Sequence, residues 1–190
     1  MAVNPRVRQE IGEISLVPPH ERVSGPNASW VMAAFTHQNP KGSRFSDGSY
    51  GVYYVGDGLE TAVVETAYHF ALFARDSRDG PRRETMRVLA GTIDKEFHDL
   101  DRVSMSARAP LLDPDSYSIS QPFGGALRAS GSNGIHYPSV RRQGGYCIAV
   151  FRPTAVRIPT QSRHLVYDWD GAQVRRYFDQ YQNAWVPLSR

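Results

Sequence analysis

The sequence predicts a mixed α+β fold in a single domain. Short apolar runs rich in β-branched and aromatic residues recur along the chain, and they outnumber the segments with helical periodicity. Their spacing is irregular and no internal repeat is visible, which argues against a regular βαβ array. At 190 residues, the chain is long enough to bury a hydrophobic core without disulfides or metals. We therefore expect a mixed β-sheet core with a few helices.

The first part of the chain is predicted to be irregular. Residues 1–28 are rich in proline, glycine and charged side chains, so we expect an N-terminal surface arm there and the main domain over residues 29–190. The apolar run Trp30–Phe35 (WVMAAF) predicts the first strand. The loop Thr36–Ser43 then leads to Arg44.

A strand followed by a helix comes next. Val52–Val55 (VYYV) is typical of a strand. Asp57 is predicted to cap a helix, with Glu60 three residues later completing a capping box. Glu65 and His69 lie one helical turn apart, at the border of the apolar face. The predicted members of that face have i, i+3, i+4 spacing: Leu59, Ala62, Val63, Thr66, Phe70 and Phe73.

The remaining elements follow the same patterns. The charged segment Arg75–Arg83 is expected to be an exposed, mobile loop. A second helix is expected within Ser116–Ser130, ended by Gly131. Asp170-Gly171 is a hairpin turn signal between the last two predicted strands. The further strands are predicted at Met86–Ile93, Ile135–Tyr137, Tyr146–Phe151, His164–Trp169 and Ala172–Phe178.

The composition indicates which cellular compartment and which classes of partner to expect. A single cysteine, Cys147, excludes an intramolecular disulfide and favours a reducing cytoplasm. No apolar stretch is long enough to cross a bilayer, and Met1–Pro18 lacks the apolar core of a signal peptide. The net charge of +3 is modest and the arginine doublets are scattered. We therefore expect a cytoplasmic protein with no membrane association and no direct nucleic-acid partner.

Several enzyme classes lack their motifs in this chain. Gly56–Thr61 (GDGLET) follows a strand and opens a helix, but Thr61 stands where a dinucleotide-binding fingerprint needs its third glycine. No G-x-S-x-G element is present. The six histidines show no metal-ligand spacing. A Rossmann site, a nucleophile-elbow hydrolase and a resident metal are therefore not expected.

Five residues are candidates for chemistry. Glu65, at the border of an apolar helix face, is predicted to be partly desolvated yet reachable. Taken singly, Arg44 reads as a surface arginine, Tyr54 as a packed strand aromatic and Ser139 as a turn residue. His69 fits a hydrogen-bonded helix histidine as well as a catalytic one. The prediction of a site depends on their joint occurrence.

The motifs around these residues resemble the RES-domain family of NAD-consuming bacterial toxins. Gly42-Ser43-Arg44-Phe45 is similar to the family's G-R-[FWY] element with a residue inserted, and Tyr54-Val55-Gly56 to its Y-[LV]-[AG] element. Ala62-Val63-Val64-Glu65 is similar to its A-x-x-E helix. Gly134–Arg141 (GIHYPSVR) is similar to its G-I-x-Y-P-S-x-R element and supplies Ser139. The resemblance covers roughly residues 30–160.

This resemblance implies an ADP-ribosyltransferase-like fold and cleavage of the nicotinamide–ribose bond of NAD. It assigns Glu65 to the oxocarbenium-like ribosyl centre and Arg44 to a phosphate of NAD. Tyr54 would stack on nicotinamide, and Ser139 would orient the carboxamide or a nearby side chain. His69 is a candidate base. NAD would be a consumed substrate, with no prosthetic group and no metal.

The resemblance leaves the acceptor of ADP-ribose open. Water or inorganic phosphate is favoured modestly over a protein side chain, and Arg141 and Arg142 are candidates to hold the phosphate. The alternatives are a mono-ADP-ribosyltransferase with a specific protein target and a non-catalytic module that binds NAD or ADP-ribose. The resemblance also implies a toxin–antitoxin pair in which a cognate antitoxin covers the active site.

Overall fold

The computed structural model describes residues 12–37 and 39–188, and it confirms the α+β class. The helices in this part of the chain are α1 (Ala28–Thr36), α2 (Leu59–Asp76), α3 (Met105–Arg108) and α4 (Ser120–Ala129). The strands are β1 (Tyr53–Gly56), β2 (Arg82–Ala90), β3 (His98–Asp99), β4 (Gly134–Pro138), β5 (Tyr146–Val150), β6 (Thr160–Trp169), β7 (Val174–Asp179) and β8 (Ala184–Pro187).

The chain forms two compact units, and each draws on separated stretches of sequence. Among the described residues, the first unit contains 12–55, 91–138 and 147–159. The second unit contains 56–90, 139–146 and 160–188. The predicted site residues are divided between them, with Arg44 and Tyr54 in the first unit and Glu65, His69 and Ser139 in the second.

The first unit is built on a four-stranded sheet of order β1-β5-β4-β3. The short strand β3 pairs in parallel with β4, with His98 opposite Ile135. Side chains from β4 and β5 form one core with Phe45, and α1 packs into a second core with Val150. The glycine at 134 has a φ of 147° and lies so close to the Ala149 carbonyl that a Cβ would meet its oxygen at 2.0 Å. A side chain at that position would force β4 away from β5.

The N-terminal segment differs from the predicted surface arm. Two short 3₁₀ turns, Ile14–Leu16 and Pro19–Glu21, lie within its described part. Val17 is buried in the core that contains α1, and the buried carboxylate of Glu21 pairs with Arg152. Residues 12–28 are therefore part of the first unit, because they contribute an apolar side chain and a buried ion pair to it. The prediction for residues 1–11 lies outside the described residues.

The predicted strand at Trp30–Phe35 is wrong, because this segment is the helix α1. A six-residue apolar run fits a buried strand and a buried helix equally well. The buried positions are Val31, Met32 and Phe35 within the run and Ala28 and Thr36 beyond its ends. That series follows the period of a helix, and Asn27, with a φ of 64°, marks the turn that precedes it.

The second unit is an antiparallel sheet of order β2-β6-β7-β8 with α2 packed on one face. Small residues of α2 allow the helix to lie close to the sheet, where it meets Leu165, Tyr167 and Trp169. The Tyr167 hydroxyl lies 2.6 Å from Thr66 Oγ1, and the Trp169 indole N–H donates to the Asp79 carbonyl at 3.2 Å. These bonds satisfy the polar atoms of the two large aromatic side chains within the core.

Helix α2 differs from its prediction at the N-terminus and on its apolar face. Gly58, not Asp57, is the N-cap residue, and no side chain caps the helix there, so the predicted capping box is wrong. Phe73, predicted on the apolar face, is 63% exposed. The predicted Val63 is buried, and the predicted Leu59 and Phe70 pack partly buried against the same core. The fully buried positions are all smaller residues: Thr61, Val63, Val64, Ala67, Ala71 and Ala74.

The later elements agree closely with the sequence. The second predicted helix is α4, and β4, β5 and the hairpin β6–β7 lie where the patterns place them. The expected loop Arg75–Arg83 is shorter, because α2 continues to Asp76 and β2 begins at Arg82. The strand β8 was not predicted. No helix in the described part of the chain is long and apolar enough to cross a bilayer.

Candidate active site

Helix α2 presents Glu65 at the edge of its buried face, as the sequence predicts. The neighbouring Val64 is 8% exposed and Glu65 itself is half-buried. This position removes part of the water around the carboxylate while leaving it accessible. The helix therefore fixes the backbone of Glu65, while a ligand can still reach its carboxylate.

Ser139 lies directly against this carboxylate. Its hydroxyl donates to Glu65 Oε1 at 2.6 Å. The same Oγ accepts the backbone N–H groups of Arg141 at 3.2 Å and Arg142 at 3.1 Å. Because the backbone donors occupy the lone pairs of Oγ, its proton is directed at the carboxylate. The structure thus brings together two of the predicted site residues that are 74 positions apart.

The loop that carries Ser139 is held in a tight turn. Pro138 ends β4, the Ser139 N–H donates to the Gly145 carbonyl at 2.8 Å, and Gly144 has a φ of 75°. A Cβ at Gly145 would lie only 2.5 Å from Thr61 Oγ1 on α2. Glycine at 145 therefore lets the loop approach the helix closely.

Two arginines of this loop also contact α2. The Arg141 guanidinium carbon lies 3.6 Å from the centroid of the Tyr68 ring, a close cation–π contact. Arg142 forms an ion pair with Glu60 and donates to Thr61 Oγ1 at 3.5 Å. The two basic residues named as phosphate candidates therefore have different surroundings, with Arg142 engaged by a carboxylate and Arg141 stacked on an aromatic ring.

His69 lies on the exposed side of the same helix. Its ring is edge-on to Tyr68, with the centroids 5.3 Å apart. A role as base stays a prediction.

Arg44 is buried, which contradicts the expected open position. The residue is 6% exposed, and its Nη1 donates to the carbonyls of Leu111 at 3.2 Å and Asp113 at 2.7 Å. Its guanidinium also lies over the Tyr117 ring, 4.8 Å from the centroid. The cation is drawn inward because two carbonyl acceptors and an aromatic face replace its hydration.

Tyr54 supports the same segment of the first unit. Its hydroxyl accepts the Phe45 N–H at 3.1 Å and donates to Ser43 Oγ at 2.9 Å. Burial of the hydroxyl raises the pKa of Tyr54 well above its ordinary value, although the bonds to Ser43 and Phe45 act in the opposite direction. The residue as a whole remains 38% exposed. Tyr54 therefore has a satisfied hydroxyl, and part of its surface is open to solvent.

Tyr68 was not singled out from the sequence. It lies three residues after Glu65, so helical spacing alone places it on the same side of α2. Two spacings in the sequence could have identified it: Tyr68 lies three residues after Glu65, and Arg141, which contacts its ring, lies two residues after Ser139.

No group of three or more His, Cys, Asp or Glu side chains within residues 12–37 and 39–188 is arranged to hold a metal ion.

Comparison with known proteins agrees with the motifs. The family model described as RES domain matches residues 19–170. The chain is also similar to the uncharacterized protein y4oC of Sinorhizobium fredii (strain NBRC 101917 / NGR234), at 27% identity over 172 residues. That alignment covers 90% of this chain and 70% of the relative.

Proposed function

The chain belongs to the RES domain family, and on this premise we propose that it cleaves the nicotinamide–ribose bond of NAD. The family is associated with NAD-related activity in toxin–antitoxin systems. NAD would be the consumed substrate, with no prosthetic group. ADP-ribose would pass to water or inorganic phosphate.

The observation that supports this proposal most is the bond from Ser139 Oγ to Glu65 Oε1, at 2.6 Å. When the bond between the ribose anomeric carbon and nicotinamide breaks, its electron pair leaves with the nicotinamide nitrogen. Positive charge then develops on the ribosyl centre, and a preoriented carboxylate stabilises it. The acceptor oxygen forms the new bond to the same carbon and releases its proton to the solvent. Glu65 would supply the charge, and Ser139 would hold it in place.

In the first unit, the RES resemblance assigns Arg44 and Tyr54 to binding NAD. The exposed part of Tyr54 suits stacking on nicotinamide. Arg44 is already bonded to the Leu111 and Asp113 carbonyls. We therefore propose that it stabilises the conformation of residues 43–45, which contact the Tyr54 hydroxyl. The bonds to the two carbonyls make a direct contact between Arg44 and a phosphate of NAD secondary to this structural role.

The test is release of nicotinamide from NAD by the wild type and by Glu65→Gln. We expect a loss of about 100- to 1,000-fold in rate, because the change keeps the shape and removes only the charge. Ser139→Ala should lose less, since Glu65 keeps its charge. Glu96→Gln makes the same chemical change at an exposed position of the first unit and should retain full activity. Turnover by Glu65→Gln within a few-fold of wild type would refute the role of Glu65.

The products of the same incubation identify the acceptor. Free ADP-ribose indicates water, ADP-ribose 1″-phosphate indicates phosphate, and a labelled protein indicates transfer to a side chain. A labelled protein as the main product would favour the mono-ADP-ribosyltransferase alternative. Tight binding of NAD without any product would favour the non-catalytic module.

A cognate antitoxin is the partner that this function requires. RES domains typically occur in toxin–antitoxin pairs, because unchecked consumption of NAD would poison the cell. We expect expression of the chain alone to arrest growth, and co-expression of the neighbouring gene to restore it. Glu65→Gln should be harmless when expressed alone. Normal growth in the presence of active, unpartnered wild-type protein would contradict the toxin proposal.

A further inference from the structure

Three side chains of the loop after β4 contact helix α2. Ser139 contacts Glu65, Arg141 stacks on Tyr68, and Arg142 pairs with Glu60. All of these residues belong to the second unit. The contacts are spread along the helix from its first turn to Tyr68, with Glu65 between the outer two.

The Arg141–Tyr68 contact differs from the Arg142–Glu60 contact in strength and in what it holds. The side chain of Glu60 is 72% exposed, so water and salt weaken its ion pair with Arg142. Arg141 and Tyr68 are both half-buried, and the guanidinium lies only 3.6 Å from the ring centroid. A cation–π contact grows stronger as its partners lose water. The Arg141–Tyr68 contact is therefore the one able to fix the loop.

Arg141 also contacts Ser139 through its backbone. Its N–H donates to Ser139 Oγ at 3.2 Å, and that hydroxyl donates to Glu65. The side chain of Arg141 thus returns to the helix one turn beyond the carboxylate that its backbone helps to orient. A shift of Arg141 would move this N–H donor, and the Ser139 hydroxyl would lose one of the two backbone bonds that set its direction.

We propose that Tyr68 is a positioning residue for Glu65, acting through Arg141 and Ser139. The inference rests on the proposed role of Glu65 in NAD cleavage. A residue can affect the rate without touching the substrate if it orients the side chain that does. Small misplacements of that side chain raise the activation barrier of the reaction. The contact uses the aromatic ring of Tyr68 and not its hydroxyl, so phenylalanine should replace tyrosine while an aliphatic residue should not.

The experiment compares Tyr68→Leu with Tyr68→Phe in nicotinamide release. We expect Tyr68→Leu to lower kcat by about 10- to 100-fold, with KM changed by less than about threefold. Tyr68→Phe should remain within about threefold of wild type, because it retains the ring. Tyr181→Leu is the matched control, since it removes a ring under Arg163, at 4.7 Å, from an exposed turn. It should leave kcat and KM unchanged.

Hydrogen–deuterium exchange supplies a readout that does not depend on NAD. The amides of Arg141 and Arg142 should exchange faster in Tyr68→Leu than in wild type or Tyr68→Phe, because they bond to Ser139 Oγ. If Tyr68→Leu does not fold, Arg141→Gln removes the same contact and should show the same loss of kcat. Wild-type kcat and exchange in either variant would overturn the proposal. A wild-type protein that releases no nicotinamide would refute the proposed function, whereas faster exchange would still support the loop contact.

Discussion

Glu60 and Glu65 belong to the same helix, and their neighbours give them different roles. Glu60 is largely exposed and pairs with Arg142, so its charge is solvated and screened. Glu65 is half-buried and accepts the Ser139 hydroxyl. The sequence favoured Glu65 through its motif and gave Glu60 a capping role, which the structure does not bear out. The contact with Ser139 depends on a loop 74 residues away, which local patterns do not predict.

At Arg44 the structure changes the expected effect of a substitution. Arg44→Ala removes two hydrogen bonds from a charged donor and leaves the Leu111 and Asp113 carbonyls without it. We expect the free energy of unfolding to fall by about 2–4 kcal/mol. Denaturant unfolding measures this, with Arg102→Ala as a control because the side chain of Arg102 is 89% exposed. Loss of nicotinamide release at unchanged stability would instead assign Arg44 to the substrate.

Among the elements, the strands of the second half of the chain were the easiest to predict. The segments β4 to β7 carry apolar runs separated by glycine, proline or Asp170-Gly171, so pattern and turn chemistry agree. The apolar run of helix α1 is so short that its pattern fits a strand as well as a helix. The predicted face of α2 includes Phe73, which is exposed, and omits Ala67, Ala71 and Ala74, which let the helix approach the sheet. Close packing of this kind depends on the partner surface, which the sequence of one element does not contain.

Helix α4 allows a sharp test of such packing. A Cβ at Gly124 would lie 2.3 Å from the Phe45 carbonyl oxygen, whereas a Cβ at Gly125 would find its nearest neighbour, the Tyr50 hydroxyl, at 3.9 Å. Alanine is favoured over glycine within a helix by about 1 kcal/mol. Gly125→Ala should therefore raise Tm, while Gly124→Ala should lower it because the helix must move away from Phe45. Because both variants change the same helix, their thermal unfolding separates the effect of helix propensity from the effect of packing against Phe45. An equal rise in Tm for both would show that α4 moves freely at this position.

At the scale of the whole molecule, each unit is assembled from distant stretches of sequence. Strand β2 pairs with β6 from Arg82 opposite Trp169 to Ala90 opposite Thr160, and the loop with Ser139 belongs to the same unit. Pairing over such separations is set by the complete set of contacts, so the sequence predicted the elements better than their grouping. The motif resemblance predicted the family because it uses separated residues together. The matched region ends at residue 170, so β7 and β8 lie beyond it.

The charge distribution of the folded chain predicts its response to acid. Asp179 shows the cause most clearly. Burial raises the pKa of this carboxyl, but the bond from Arg163 and the N–H groups of Gln182 and Tyr181 outweigh it, so the pKa lies below its ordinary value of 3.8. Hydrogen bonds, mainly from neighbouring side chains or backbone N–H groups, lower the pKa of further aspartates in the described residues: Asp47, Asp94, Asp99, Asp113 and Asp170.

Because these carboxyls have lower pKa values in the folded chain than in the unfolded chain, the unfolded state binds more protons as the pH falls. Their stabilisation is present above the ordinary carboxyl pKa and is lost as the pH drops through the lower folded values. We expect the free energy of unfolding to decrease from about pH 4 downward. Asp179→Asn should reduce stability at pH 7 and make the acid dependence shallower. Asp115→Asn makes the same change at an exposed aspartate and should parallel the wild type. Urea unfolding at a series of pH values measures all three proteins. An unchanged slope in Asp179→Asn would show that the ion pair of the buried Asp179 with Arg163 does not contribute to acid sensitivity.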